Sequence, residues 1–70
     1  MISKVILYSN YVVMVFDENG MQIPRYQGLY KEVAKKIVKD APTQTKFYTC
    51  IWREEPISIS IEDFKTRGGK

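Results

Sequence analysis

Few side chains in this sequence can carry acid–base or nucleophilic chemistry, and their spacing is not that of a catalytic site. The chain has 70 residues, no histidine and a single cysteine, Cys50. Without histidine, a serine or cysteine nucleophile lacks its usual activating base, and a zinc site of the Cys/His kind cannot be assembled. Cys50 lies in a strand-like segment, where a thiol is usually a small buried apolar group.

The carboxylates and glycines do not supply a catalytic or phosphate-binding motif either. Glu54 and Glu55 are adjacent in a predicted turn and point in different directions. Gly68 and Gly69 open no helix, so they do not resemble a phosphate-binding loop. We therefore expect a protein that is not an enzyme and that uses no cofactor or metal.

Lysines recur at helical spacing in the middle of the chain. Lys31, Lys35 and Lys39 are four residues apart, so they form one row on a helix, with Lys36 beside it. A row of positive charge can follow a nucleic-acid backbone, although lysines also keep exposed helix faces soluble. These four lysines are the candidate nucleic-acid-binding residues, and the net charge of +3 permits such a partner without requiring one.

Strand-like segments come first along the chain. The β-branched and aromatic residues of Ser3–Tyr8 and Tyr11–Asp17 predict two strands joined by a two-residue turn at Ser9-Asn10. Asn19-Gly20 predicts a second hairpin with a type I′ turn, which needs positive φ at both residues. A third strand should then run from Met21 to about Arg25.

An amphipathic helix is predicted from Leu29 to about Asp40. Val33 and Ile37 belong to its apolar stripe, and Pro42 disfavours helical backbone in the residue before it. The helix should therefore end near Asp40.

Two further strands and a short helical turn complete the chain. Alternation predicts a fourth strand from Lys46 to Arg53, and a fifth that contains Ile57, Ile59 and Ile61. Ser60 can cap a last helical turn that carries Phe64.

The predicted fold is a two-layer α+β sandwich. An antiparallel sheet, with the order β-β-β-α-β-β along the chain, has one amphipathic helix packed on one face. Residues 1–64 are predicted to form a single domain, and residues 65–70 are predicted to be a mobile tail.

The two predicted turns set the strand register, and the register assigns each side chain to a face. The helix-covered face is predicted to carry Val5, Leu7, Val12, Met14, Phe16 and Ile23. The opposite face is predicted to carry the candidate interface residues Ile6, Tyr8, Tyr11, Val13, Val15 and Tyr26, with Lys4 beside them. An uncovered apolar face rich in tyrosine is typical of an interaction surface. The alternative is that the last strand or the tail folds over it.

These patterns favour a non-enzymatic protein-interaction module that forms a homodimer through the tyrosine-bearing face. Another protein partner is also compatible with them, and the less favoured alternative is a nucleic-acid-binding protein that uses the helix lysines and the same tyrosines. The longest apolar run, Tyr11–Phe16, is far shorter than the roughly 20 residues that span a bilayer, so no membrane partner is expected. A single cysteine is typical of a cytoplasmic protein.

Overall fold

In the computed structural model of the chain, residues 1–51 and 54–67 are described. They form an α+β fold in which a five-stranded sheet packs against one main helix, as predicted. The elements in chain order are β1 (Ile2–Tyr8), β2 (Val12–Asp17), a 3-10 turn (Pro24–Tyr26), β3 (Gly28–Leu29), α1 (Tyr30–Asp40), β4 (Lys46–Cys50), β5 (Ile57–Ile59) and α2 (Ile61–Arg67).

The sheet has the strand order β3-β2-β1-β4-β5 and is mixed rather than wholly antiparallel. Strands β1 and β4 run parallel, whereas the other neighbouring pairs are antiparallel. The parallel pair arises because α1 carries the chain from β3, at one edge, to β4 on the other side of β1. The prediction of a purely antiparallel sheet was wrong in this one pair.

The main helix matches its prediction closely. Val33 and Ile37 are buried on its inner side, and its lysines are exposed. It ends at Asp40, and Ala41 is extended before Pro42, as the steric effect of proline requires.

The first hairpin contains a three-residue loop, not the predicted two-residue turn. Tyr11 has a φ of 64°, and its N–H donates to the carbonyl oxygen of Tyr8 at 2.9 Å. A left-handed residue after a tight turn is typical of three-residue hairpin loops. Leu7 therefore pairs with Val13 rather than Val12, and this shift by one residue exchanges the two faces of β2.

The second hairpin repeats the same arrangement. Gly20 has the predicted positive φ, at 80°, but Asn19 is not in the left-handed region, so the predicted type I′ turn was wrong. Asp17 Oδ1 instead accepts hydrogen bonds from the N–H groups of Asn19 and Met21, at 2.8 and 2.9 Å. As a result Phe16 pairs with Gln22.

Only one residue of the predicted third strand from Met21 to Arg25 pairs as in a strand, namely Gln22 in its bridge with Phe16. Pro24 begins a 3-10 turn that ends at Tyr26, and only Gly28–Leu29 then pairs with β2. Proline cannot donate to a strand ladder, which explains why the strand stops there.

The core lies between α1 and one face of the sheet. That face carries Val5, Leu7, Val13, Val15 and Phe47. Helix α2 closes one end of this core with Phe64, which has no accessible surface. Ser60 Oγ accepts a hydrogen bond from the Asp63 N–H at 3.0 Å, so Ser60 caps α2 as predicted.

Two sequence predictions reach beyond the described residues. Helix α2 continues past Phe64 through Arg67, so the predicted tail starts inside a helix, and its residues 68–70 lie outside the described part. Residues 52–53 of the predicted fourth strand also lie outside it.

Candidate interaction surfaces

The sheet face that points away from α1, here termed the open face, has no described helix or strand over it. Its residues alternate along β1, β2 and β4 with the core residues, and pair across those strands. The open face consists of Lys4, Ile6, Tyr8, Val12, Met14, Phe16, Lys46, Tyr48 and the buried Cys50.

The centre of the open face is apolar. Ile6 is only 6% exposed, because it pairs with Met14 on one side and Tyr48 on the other. Met14, Phe16 and Tyr48 are half-buried. Glu55 and Pro56, in the loop between β4 and β5, line a shallow cavity together with Ile6 and Tyr48, so this loop lies beside that part of the open face. The centre of the open face is therefore apolar and already partly buried within a single chain.

The margin of the open face carries charges of both signs. Lys4 Nζ lies 4.9 Å from the centroid of the Phe16 ring, within the range of a cation–π interaction, and Lys4 pairs with Lys46 across β1 and β4. Glu55 joins Lys4 and Tyr48 in lining the same shallow cavity, which has a volume of about 320 Å³. The open face is therefore an apolar surface with a mixed charged edge.

The predicted interface residues do not share one face. Ile6 and Tyr8 lie on the open face, as expected. Val13 and Val15 have no accessible surface and belong to the core beneath α1, so their placement on the outer face was wrong. The three-residue first loop is the physical reason, because it reverses the faces of β2.

The two remaining predicted interface residues, Tyr11 and Tyr26, lie outside the open-face strands. Tyr11 is 54% exposed in the first loop. Tyr26 is buried in the core, and its hydroxyl donates to Asp40 Oδ2 at 2.5 Å. This hydrogen bond is the main cause that raises the pKa of Tyr26 above its usual range, and burial of the phenol is the second cause. Tyr26 thus attaches the 3-10 turn to the end of α1, and its placement on the outer face was wrong.

The sequence pattern missed residues that the fold brings to the open face. Val12, Met14 and Phe16 were expected beneath the helix, and the register shift moves them outward. Tyr48 already alternates with the core residue Phe47, but its strand could not be placed beside β1 from alternation alone.

The candidate nucleic-acid-binding lysines lie on the other side of the molecule. Lys31, Lys35 and Lys39 are exposed on the outer surface of α1. Lys36 is also exposed, and its Nζ donates to the carbonyl oxygen of Arg25 at 3.1 Å. Because α1 covers the core face, the helix lysines and the sheet tyrosines do not form one surface.

Cys50 has a structural environment. Its buried Sγ donates to the carbonyl oxygen of Glu54 at 2.8 Å and lies 3.4 Å from that of Ile51, which closes the loop after β4. Within residues 1–51 and 54–67, no group of three or more histidine, cysteine, aspartate or glutamate side chains is arranged to hold a metal ion. None of the described helices is long and apolar enough to cross a membrane.

Comparisons of the chain with known protein families, with curated proteins and with solved structures find no match. Function must therefore be inferred from the surfaces of the molecule itself.

Proposed function

We propose that this protein is a non-enzymatic interaction module that forms a homodimer by packing the open faces of two copies together. The observation that carries the proposal is the apolar centre of the open face, where Met14, Phe16 and Tyr48 keep part of their side chains exposed and no described helix or strand lies over them. An antiparallel sheet that faces water on one side normally has polar residues there. A second sheet packed about 10 Å away would withdraw these side chains from water.

The dimensions of the molecule predict a weak dimer. The chain measures 26 × 24 × 20 Å, so the projected area of its broadest side is only about 600 Å². Standard protein–protein interfaces bury about 800 Å² on each partner. Each well-buried apolar side chain contributes about 1.5–3 kcal/mol, against an association cost of about 4–15 kcal/mol. We therefore expect a dissociation constant in the micromolar range.

The charges on the open face favour a second copy over a nucleic acid. Lys4 and Glu55 lie on the same cavity, so the margin can be complementary to itself about a two-fold axis. A phosphate backbone bound to the open face would be repelled by the negative charge of Glu55. A base that stacked on Phe16 would have to displace Lys4 from above the ring.

The test is the molar mass in solution of wild type and of two lysine variants, by light scattering at about 100 µM, well above the expected constant. Met14→Lys places a charge at the centre of the open face, and we expect it to be a folded monomer while wild type is dimeric. Met21→Lys is the control, because it adds the same charge at a 65% exposed position in the second hairpin and should remain dimeric.

A monomeric wild type at this concentration overturns the proposal, as does a Met14→Lys variant that remains a dimer. A single-stranded oligonucleotide added to the wild type tests the rival function. Binding by a monomeric wild type that is lost in Tyr48→Ala would assign the open face to base stacking instead.

A further inference from the structure

The net positive charge of the protein is concentrated on the outer surface of α1 and on Arg25 in the 3-10 turn beside it. This surface, here termed the lysine surface, comprises Arg25, Lys31, Lys35, Lys36 and Lys39. Glu32 and Asp40 are the two carboxylates of α1 beside it. The lysine surface and these carboxylates together carry +3, which is the whole formal net charge, and the rest of the sequence is balanced.

These cations are not neutralised by nearby carboxylates. Within the described residues, none of the α1 lysines forms an ion pair, and Asp40 accepts a hydrogen bond from Tyr26 instead. Like charges four residues apart on a helix cost a few tenths of a kcal/mol per pair. Lys31, Lys35 and Lys39 form two such pairs in succession.

The spacing of the row suits a regularly charged linear polyanion. A rise of about 1.5 Å per residue places successive lysines about 6 Å apart along the helix axis. We infer that the lysine surface binds the phosphodiester backbone of nucleic acid without reading the base sequence. Such binding depends on neutralising phosphates and on releasing their counterions.

An anionic membrane fits this surface less well. Helices that bind membranes in the interfacial plane insert an apolar face between the lipids. The apolar face of α1 is already committed, because Val33 and Ile37 are buried in the core. The inference does not depend on the proposed homodimer, since the lysine surface lies on the opposite side from the open face and is present in a single copy.

The salt dependence of binding gives the inference a magnitude. If the surface neutralises about three phosphates of a duplex, the slope of log affinity against log salt is about −2.7. The affinity should then fall about 40-fold between 50 and 200 mM salt.

The test measures fluorescence anisotropy of a labelled mixed-sequence DNA duplex of about 20 base pairs, and of one of its strands, over that salt range. The double variant Lys35→Gln/Lys39→Gln should lower the affinity for the DNA form that wild type prefers by about 200-fold at 50 mM salt, and should make the slope less steep by about 1.8. The matched pair of single variants is Lys39→Gln, which should weaken binding, and Lys65→Gln, which removes the same charge from an exposed position outside both the lysine surface and the open face and should bind nearly as wild type.

Equal losses in Lys39→Gln and Lys65→Gln would overturn the inference, because they would show only a response to net charge. Absence of binding to both duplex and single strand at 50 mM salt would also overturn it. Phosphatidylserine vesicles form the third arm. Vesicle binding that is stronger than DNA binding and is lost in Lys35→Gln/Lys39→Gln would assign the surface to membranes.

Discussion

Tyr11 and Gly20 close the two hairpins of the sheet, and both have positive φ. Glycine reaches this region without a steric penalty, whereas a residue with a Cβ atom is disfavoured there by about 1–2 kcal/mol. Gly20 has open space around the position that a Cβ atom would occupy. A side chain at position 20 is therefore opposed by backbone conformation and not by packing.

We expect Gly20→Val to lower the free energy of unfolding by about 1–3 kcal/mol, because a β-branched residue tolerates the left-handed region poorly. Gly20→Asn should have a clearly smaller effect, because asparagine enters that region more readily. Urea unfolding of the two variants provides the comparison. Equal midpoints for the valine and asparagine variants would show that φ at this position does not limit stability.

The same two loops explain why the hairpins could be predicted from sequence while their register could not. Asn19-Gly20 was a valid turn signal, but glycine serves equally well in a two-residue type I′ turn and in a three-residue loop. In the longer form, the Asp17 carboxylate accepts hydrogen bonds from two backbone N–H groups of the loop region. At the first turn, nothing in the sequence indicates that Tyr11 adopts a positive φ. One residue in each loop therefore changes which residues lie on the candidate site.

Helix α2 depends on a few contacts with the rest of the fold. It has seven residues, too few to be stable as an isolated helix. The Phe64 ring packs between Tyr30 and Phe47, with centroid distances of 5.2 and 4.9 Å. The Tyr30 hydroxyl also donates to the carbonyl oxygen of Phe64 and to that of Lys65. The phenol of Tyr30 thus joins the two helices.

We expect Tyr30→Phe to increase amide hydrogen exchange selectively in α2, because the ring packing remains and only the hydroxyl contacts are lost. A typical net contribution of about 0.5–1.5 kcal/mol corresponds to exchange about 2- to 12-fold faster. Tyr48→Phe is the control, because it removes a hydroxyl from the open face and should leave α2 unchanged. Acceleration spread evenly over the sheet would mean that α2 does not open as a separate unit.

At the scale of the whole molecule, the apolar pattern of the sequence predicts the two layers, but it does not predict which strands are neighbours in the sheet. The amphipathic stripe of α1 required an apolar sheet face, and that part of the prediction was confirmed. The position of β4 beside β1 was not predictable, because alternation says which residues share a face of a strand but not which strand lies next to it. Alternation within β1 was enough to place Ile6 and Tyr8 on the outer face. It could not show that Tyr48 of β4 lies next to Ile6 on that face.

Val13 and Met14 provide a test of this two-layer arrangement, because adjacent residues of β2 lie on its opposite sides. Val13 has no accessible surface, so Val13→Lys buries an amine among aliphatic side chains and should cost more than about 4 kcal/mol. A domain of this size has only about 3.5–10 kcal/mol of stability, so that variant should be largely unfolded at neutral pH. Met14→Lys should retain the fold, because a lysine stem can lie along the open face while its amine reaches water.

Circular dichroism and urea unfolding of both variants distinguish these outcomes, and measurements between about 1 and 100 µM separate any contribution of a dimer, because only that contribution depends on protein concentration. A Val13→Lys variant that folds normally would contradict the burial of Val13 and would instead support the register predicted from sequence, with Val13 on the outer face and a two-residue first turn. The reverse result, with Met14→Lys unfolded and Val13→Lys folded, would place Met14 beneath α1. Only the combination of an unfolded Val13→Lys and a folded Met14→Lys agrees with the three-residue loop that ends at Tyr11, and hence with the open face as the surface available to a partner.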